Sequence, residues 1–213
     1  MPSSPPSQEH SVSAFVVPVE VMPRHVHVSP RHYVALFGVP AEMDETARTL
    51  SQRGQFVSNR TVEVIGSTGS LVTMRVLGPC RQDTQVELSL TDAAAIGLAP
   101  PVRLSGDMAR SPGCVLRGPA GEVRLRRGVI VPAPHVHMNE RDARRMGVGQ
   151  GQRVRAVLAD MRASVPVLAF VRVHPTFRLA LHLTTDHAAE AWATTGDQAQ
   201  IFVSKMPSTT RLK

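Results

Sequence analysis

Residues 131–139 read Val-Pro-Ala-Pro-His-Val-His-Met-Asn, and residues 22–29 read Met-Pro-Arg-His-Val-His-Val-Ser. The tripeptide His-Val-His thus occurs twice, as His25-Val26-His27 and His135-Val136-His137. Each copy is entered through proline-bearing sequence and left through an apolar residue and a helix-capping residue. In an extended strand, residues i and i+2 point to one face. Two imidazoles at that spacing converge on one point, which suits a borderline metal such as zinc. Nine histidines scattered over 213 positions give about 0.4 such pairs by chance. Two pairs with the same middle residue and matching flanks therefore indicate a duplicated device. The alternative is a pair of polar turns carrying surface histidines.

Outward from these segments, short strand-like runs alternate with turns. They are Phe15–Val21, Thr61–Ile65, Leu71–Leu77, Gln85–Leu90, Cys114–Leu116, Glu122–Leu125, Val129–Val131, Arg153–Leu158, Val165–Val173 and Arg178–Leu183. Gly and Pro punctuate them. Many short strands with regular turns predict barrels or sandwiches. Helices are few and short. Ser29 is placed to cap a helix through Arg31–Phe37 that stops at Gly38. Asp92–Leu98 and Asp142–Val148 share the form Asp-Ala-x-x-apolar-Gly-apolar, a short capped helix ended by glycine. This second internal repetition predicts two related small barrels. The fold class is read as mainly β: two small β-barrel domains with short capping helices.

At 213 residues and 42% hydrophobic content the chain supports a sizeable core. Aromatic residues are only 4%, so that core rests on Val, Leu, Ala, Ile and Met. No apolar run approaches the length of a membrane span, and the N-terminus is not a secretory signal. A soluble, cytoplasmic protein is expected. Cys80 and Cys114 form no Cys-x-x-Cys motif, so neither a disulfide framework nor a thiolate metal site is expected. The net charge of +7 invites a nucleic-acid reading. Against it, Lys205 and Lys213 are the only lysines among 24 basic residues, leaving 22 dispersed arginines. Dispersed arginine fits a surface, or a site for small anions, at least as well as a duplex. Residues 1–12 are Pro/Ser-rich and read as a disordered tail, and 204–213 as a second tail.

Five stretches, VPVEVMPRHVHVS, VLGPCRQDTQVELS, RLSGDMARSPG, GVIVPAPHVHMNERDARRMGV and LALHLTTD, stand in this order between about Val17 and Ala189. Together they resemble the PduL-type phosphate acyltransferases, the phosphotransacylases of bacterial microcompartments. The resemblance implies one β-barrel from both chain ends (13–28 plus 127–203) and a helix with a second barrel from the middle (29–126). It implies a metal site in the cleft between them. It also implies two zinc ions and the interconversion of acyl-CoA plus phosphate with acyl-phosphate plus coenzyme A, for a short acyl chain such as propanoyl or acetyl. Carried over by motif, His25, His27 and Glu87 would hold one metal, and His135, His137 and His182 the other. Arg81 would hold phosphate, and Ser105 falls on the serine of the family's Ser-Gly-Asp motif.

The residues themselves speak less specifically. His182 sits on the polar face of an alternating strand, where it reads alone as a solvated imidazole. Glu87 shares a face with Gln85 and Ser89 and reads alone as a surface carboxylate. Arg81 follows the turn Gly78-Pro79-Cys80, and its guanidinium fork suits phosphate. His10, His32, His174 and His187 are read as non-ligands. The chain departs from the family pattern at Met22, at Pro134 and in the segment Thr184-Thr185-Asp186-His187, which bears on substrate contacts. The N-terminal stretch also lacks the amphipathic targeting helix of many members. Shell association and homo-oligomerisation stay open. Expected partners are small molecules, acyl-CoA and phosphate, with no nucleic acid and no membrane. No Ser-His-Asp or Cys-His nucleophile is evident, so direct transfer in a ternary complex is expected. Two rivals remain. A dinuclear metallohydrolase would turn over without coenzyme A. A basic nucleic-acid-binding barrel would show steep salt dependence.

Overall fold

Alternation of apolar and polar residues lays down the strands. In a computed structural model, which describes residues 12–158 and 166–204, the chain opens with β1 (Val12–Met22). It then runs through β2 (His25–His27), α1 (Pro30–Phe37), β3 (Thr46–Thr49), β4 (Phe56–Ile65), β5 (Ser70–Gly78), β6 (Gln85–Glu87), α2 (Leu90–Ala95), β7 (Val102–Arg103), β8 (Cys114–Arg117), β9 (Glu122–Leu125) and β10 (Val129–Pro132). It returns through β11 (His135–Met138), α3 (Glu140–Met146), β12 (Arg153–Leu158), β13 (Val167–Val173), β14 (Ala180–Thr184), α4 (Thr185–Glu190) and β15 (Gln198–Ser204).

Two sheets result. The order β1-β14-β11-β13-β12-β15 closes into a barrel. Closure falls on β1, which runs parallel to β14 (Val19↔Leu181, Glu20↔His182) and antiparallel to β15. The central strands form a nine-stranded half-barrel in the order β7-β10-β6-β2-β5-β4-β8-β9, with β3 added to β4. Strand outweighs helix by 44% to 16%, so the mainly β reading holds. The chain crosses between the sheets at Pro23-Arg24 and at Ala133-Pro134, immediately before each His-Val-His.

Each sheet has its own core. Val136, Met138, Leu181, Leu183 and Ile201 lie in the barrel's, and Val26, Leu36, Val86, Leu88 and Leu116 in the half-barrel's. Val26, Val86, Val136 and Leu181 are all 0% exposed. Burying each contributes about 1.5–3 kcal/mol. They also fix register, because a one-residue slip would drive the neighbouring His and Glu side chains into the apolar interior.

Four caps place the helices. Ser29, Ser89, Asn139 and Thr184 accept from the backbone N–H of His32, Asp92, Asp142 and His187. The repeated Asp-Ala-x-x-apolar-Gly-apolar form has one geometry in both copies. Gly97 and Gly147 sit at φ 69° and 66°, and the next residues, Leu98 and Val148, donate to the carbonyls of Ala93 and Ala143. Leu90 begins α2 instead of ending a strand, because Ser89 caps there. β3, β7, α4 and β15 are absent from the sequence reading. In β3 all four residues are exposed, so no alternation marks it. No helix among the described residues is long and apolar enough to cross a membrane.

Candidate metal centre

β2 and β6 pair antiparallel with His25 directly opposite Glu87 and His27 opposite Gln85. His25 Nε2 lies 3.2 Å from His27 Nε2. The Glu87 carboxylate oxygens lie 3.3 Å from His25 Nε2 and 3.7 Å from His27 Nε2. In the barrel, β11 and β14 pair antiparallel with His135 opposite His182. The rings of His137 and His182 approach to 4.4 Å between centroids. The six side chains thus fall into two groups of three, each with donor atoms within 4.8 Å of one another. None of the six is more than 7% exposed.

The two histidine pairs are oriented by the same local device. His25 Nδ1 lies 2.8 Å from the Pro23 carbonyl, and His135 Nδ1 lies 2.8 Å from the Ala133 carbonyl. A carbonyl only accepts, so Nδ1 carries the proton and donates it. In the neutral ring the Nε2 lone pair then faces the cluster, as metal-ligating imidazoles require. His27 Nδ1 faces the Leu77 carbonyl at 3.3 Å in the same sense. Burial holds the His135 imidazole down at about 4. Burial likewise pulls His27, His137 and His182 below their ordinary value, with neighbouring histidines adding to it. Burial alone raises the Glu87 carboxyl, but the first-group histidines in their charged form and the Ser105 hydroxyl outweigh it and hold it well below its ordinary value.

In their neutral form these imidazoles, with one carboxylate, make an acceptor set that fits a divalent cation. A tetrahedral ion with bonds of about 2.0–2.1 Å separates its ligand atoms by about 3.3 Å, close to the 3.2, 3.3 and 3.7 Å of the first group. In the second group, both ring nitrogens of His137 are buried and have no hydrogen-bond partner. An orphaned imidazole is costly unless something completes it.

All four strands that carry these six side chains share a further pattern. The last candidate ligand stands two residues before a helix N-cap: His27-Val28-Ser29, Glu87-Leu88-Ser89, His137-Met138-Asn139 and His182-Leu183-Thr184. The intervening apolar residue is buried in every case. Strand, ligand, buried residue and cap thus recur four times, and the sequence reading caught the pattern only where a His-x-His pair announced it.

Arg81 and Ser105 join the first group. Arg81 Nη1 donates to Ser105 Oγ at 2.7 Å, and Ser105 Oγ donates to Glu87 Oε1 at 2.7 Å. Gln85 Nε2 donates to the same Ser105 oxygen at 2.9 Å, and its carbonyl accepts from the Gly106 N–H at 2.8 Å. Buried Gln85 thus orders this network, a role its alternation alone did not reveal. Gln52 was also missed. It reaches from the half-barrel to the carbonyl of Arg178 at 3.2 Å and to His182 Nε2 at 3.5 Å, tying the two sheets together beside the second group. Glu20 lies 3.6 Å from His182 Nε2. Of the histidines read as non-ligands, His32, His174 and His187 bond instead to Thr84, Thr176 and Thr184. His10 lies outside the described residues.

The family model for phosphate propanoyltransferases matches residues 18–194. The chain belongs to the phosphate propanoyltransferase family. It is 41% identical to the phosphate propanoyltransferase of Shewanella putrefaciens, over 82% of each chain. It is 41% identical to that of Priestia megaterium, over 85% of this chain and 83% of the other. Against that of Salmonella typhimurium the identity is 39%, over 83% of this chain and 84% of the other. The matched span takes in the five stretches quoted above from Pro18 onward. In this family member a cleft of about 890 Å³ opens beside His25, lined from both sheets by Glu20, Met22, Arg24, Arg48, Arg75 and Thr185. Met22, where the sequence reading expects a departure from the family pattern, lines this cleft.

Proposed function

We propose that the protein is a zinc-dependent phosphate acyltransferase that interconverts acyl-CoA plus phosphate with acyl-phosphate plus coenzyme A, for a short acyl chain such as propanoyl. Membership of the phosphate propanoyltransferase family supports acyl transfer between these reactants. The observation that carries the reading is the chain Arg81–Ser105–Glu87. It fixes a guanidinium, an anion-holding group, beside a buried donor set fit for a metal.

His25, His27 and Glu87 would hold one ion, and His135, His137 and His182 the other. When bound, zinc supplies Lewis acidity for the developing oxyanion and the departing thiolate. Arg81 holds phosphate through its planar fork. Ser105 spends its proton on Glu87 and accepts from Arg81, so the guanidinium plane is set before phosphate arrives. The arginine-lined cleft beside His25 suits the phosphates of acyl-CoA. A phosphate oxygen bonds to the acyl carbon, the carbon–sulfur bond breaks, and coenzyme A leaves as thiolate. No acyl-enzyme is needed, since the thioester is already activated. We also infer a domain built from both chain ends and one built from the middle. Any association with a microcompartment shell rests on the family resemblance alone.

Incubating the protein with propanoyl-CoA and phosphate, then trapping with hydroxylamine, tests the reading. Acyl hydroxamate in proportion to released thiol is expected. Free propanoate without trapped acyl would make the protein a hydrolase.

A further inference from the structure

Arg172 lies on β13, between the buried core residues Val171 and the half-buried Val173. Because Ala169 and Val171 point into the barrel, Phe170 and Arg172 point out of it. They are register partners of His135 and His137, which point out on the same face. Arg172 therefore flanks the second histidine group. The Phe177 ring stacks on His137 at 3.8 Å with 18° between planes. The Arg172 guanidinium carbon lies 5.8 Å from that same ring's centre.

Among the described residues, no carboxylate comes within 4 Å of this half-buried guanidinium. Of the carboxylates among the described residues, Glu87 is the one whose charge reaches it. The Glu87 carboxylate, however, already accepts from Ser105 and Gln85 and belongs to the first metal-ligand group. The positive charge of Arg172 is felt at His135, His137, His182 and Arg81. Arg172 on the barrel and Arg81 in the loop that follows β5 of the half-barrel thus feel each other's charge, and each stands beside one metal-ligand group. Partly desolvated cations in such company are costly unless an anion completes them.

We propose that Arg172 is a second phosphate-holding residue, gripping the phosphoryl oxygens from the barrel side while Arg81 grips them from the half-barrel side. The proposal rests on the acyltransferase reading for the identity of the anion as substrate. It makes the phosphate site depend on both sheets at once.

The test uses zinc-loaded protein with measured metal content, in wild type, Arg172→Gln and Arg172→Lys. Arg172→Gln should raise the phosphate KM by about tenfold or more while the acyl-CoA KM stays within about twofold and metal content is unchanged. Arg172→Lys, which keeps the charge and the apolar stem, should fall between the two. Calorimetric titration with inorganic phosphate alone should show the same order of affinity. Equal phosphate affinity in Arg172→Gln and wild type would overturn the proposal, as would a defect confined to the acyl-CoA KM, or a wild type that binds no phosphate. A wild type that binds phosphate more tightly than Arg172→Gln, yet transfers no acyl group, would uphold the anion site and sink the acyltransferase reading instead.

Discussion

His135 stands directly opposite His182 across the pair β11–β14, with the two rings 5.1 Å apart and 9° from parallel. Residues 47 positions apart are thereby brought to one point by the register of two strands. Val136 and Leu181, both 0% exposed, hold that register from the other face. Core packing and the placement of the candidate ligands are two sides of the same strands.

Two separate donor sets predict separable metal losses. His25→Ala and His135→Ala should each lower zinc from about two ions per chain to about one, and each should abolish most activity. Elemental analysis of the purified variants reads this directly. Wild-type metal content in both variants would contradict the assignment.

Arg81→Lys should retain both metals and lose phosphate affinity, because lysine keeps the charge and loses the planar fork. It also loses the fixed bond to Ser105. Steady-state kinetics should place the defect mainly in the phosphate KM. An unchanged phosphate dependence would remove Arg81 from the site.

Asn139 caps α3 by accepting from Asp142 N–H at 2.9 Å. Asn139→Ala should therefore cost about 1 kcal/mol in chemical denaturation. Asn139 stands two residues beyond His137, so the loss of order should also weaken zinc binding to the second group. Asn139→Asp, which retains the acceptor, should restore both.

The metal-free protein should be acid-labile. Burial holds His135 at about 4 and holds His27, His137 and His182 low as well. Below the ordinary imidazole value of about 6.5, the unfolded chain takes up protons that the folded chain refuses. Stability therefore rises with pH across this window and is lost as pH falls from about 6.5 toward 4. Glu87, held below its usual range, adds a loss in the same direction at the acid end. Thermal unfolding of chelator-treated protein from pH 8 to pH 5 should show a falling midpoint, and a flat profile would refute it.

Neither cysteine is placed to act as a nucleophile. Burial raises the Cys80 thiol, with Asp44 and Glu42 adding to it, despite the neighbouring Arg81. Burial pushes Cys114 up to about 12. Both stay thiols at neutral pH. The double Cys→Ser variant should keep thiol release within a few-fold of wild type. A collapse in activity with both metals retained, together with an acyl adduct on Cys80, would overturn direct transfer.

The two His-x-His pairs were legible because a period-two spacing puts both ligands on one strand face without reference to any other strand. Glu87 and His182 were not legible from spacing alone. Each is a single polar residue on an alternating strand, and its partner is set by pairing with a strand far away in sequence. Motif resemblance nominated them, and register brings them beside the histidine pairs. The ligand–apolar–cap pattern that ends at Ser29, Ser89, Asn139 and Thr184 is a local signal that could have flagged both. Arg172 carries no such signal, because its meaning depends on standing beside His137 across β11–β13. The mainly β class followed from alternation, whereas exposed β3 and the helix capped by Thr184 did not, for want of any apolar period.

The central claim is that phosphate, not water, receives the acyl group. The most direct measurement is thiol release from propanoyl-CoA at increasing phosphate, on protein of known zinc content. The account predicts release that is near zero without phosphate and saturates with it. Release should vanish on chelation and return with zinc. Thiol release at the same rate with and without phosphate would contradict it.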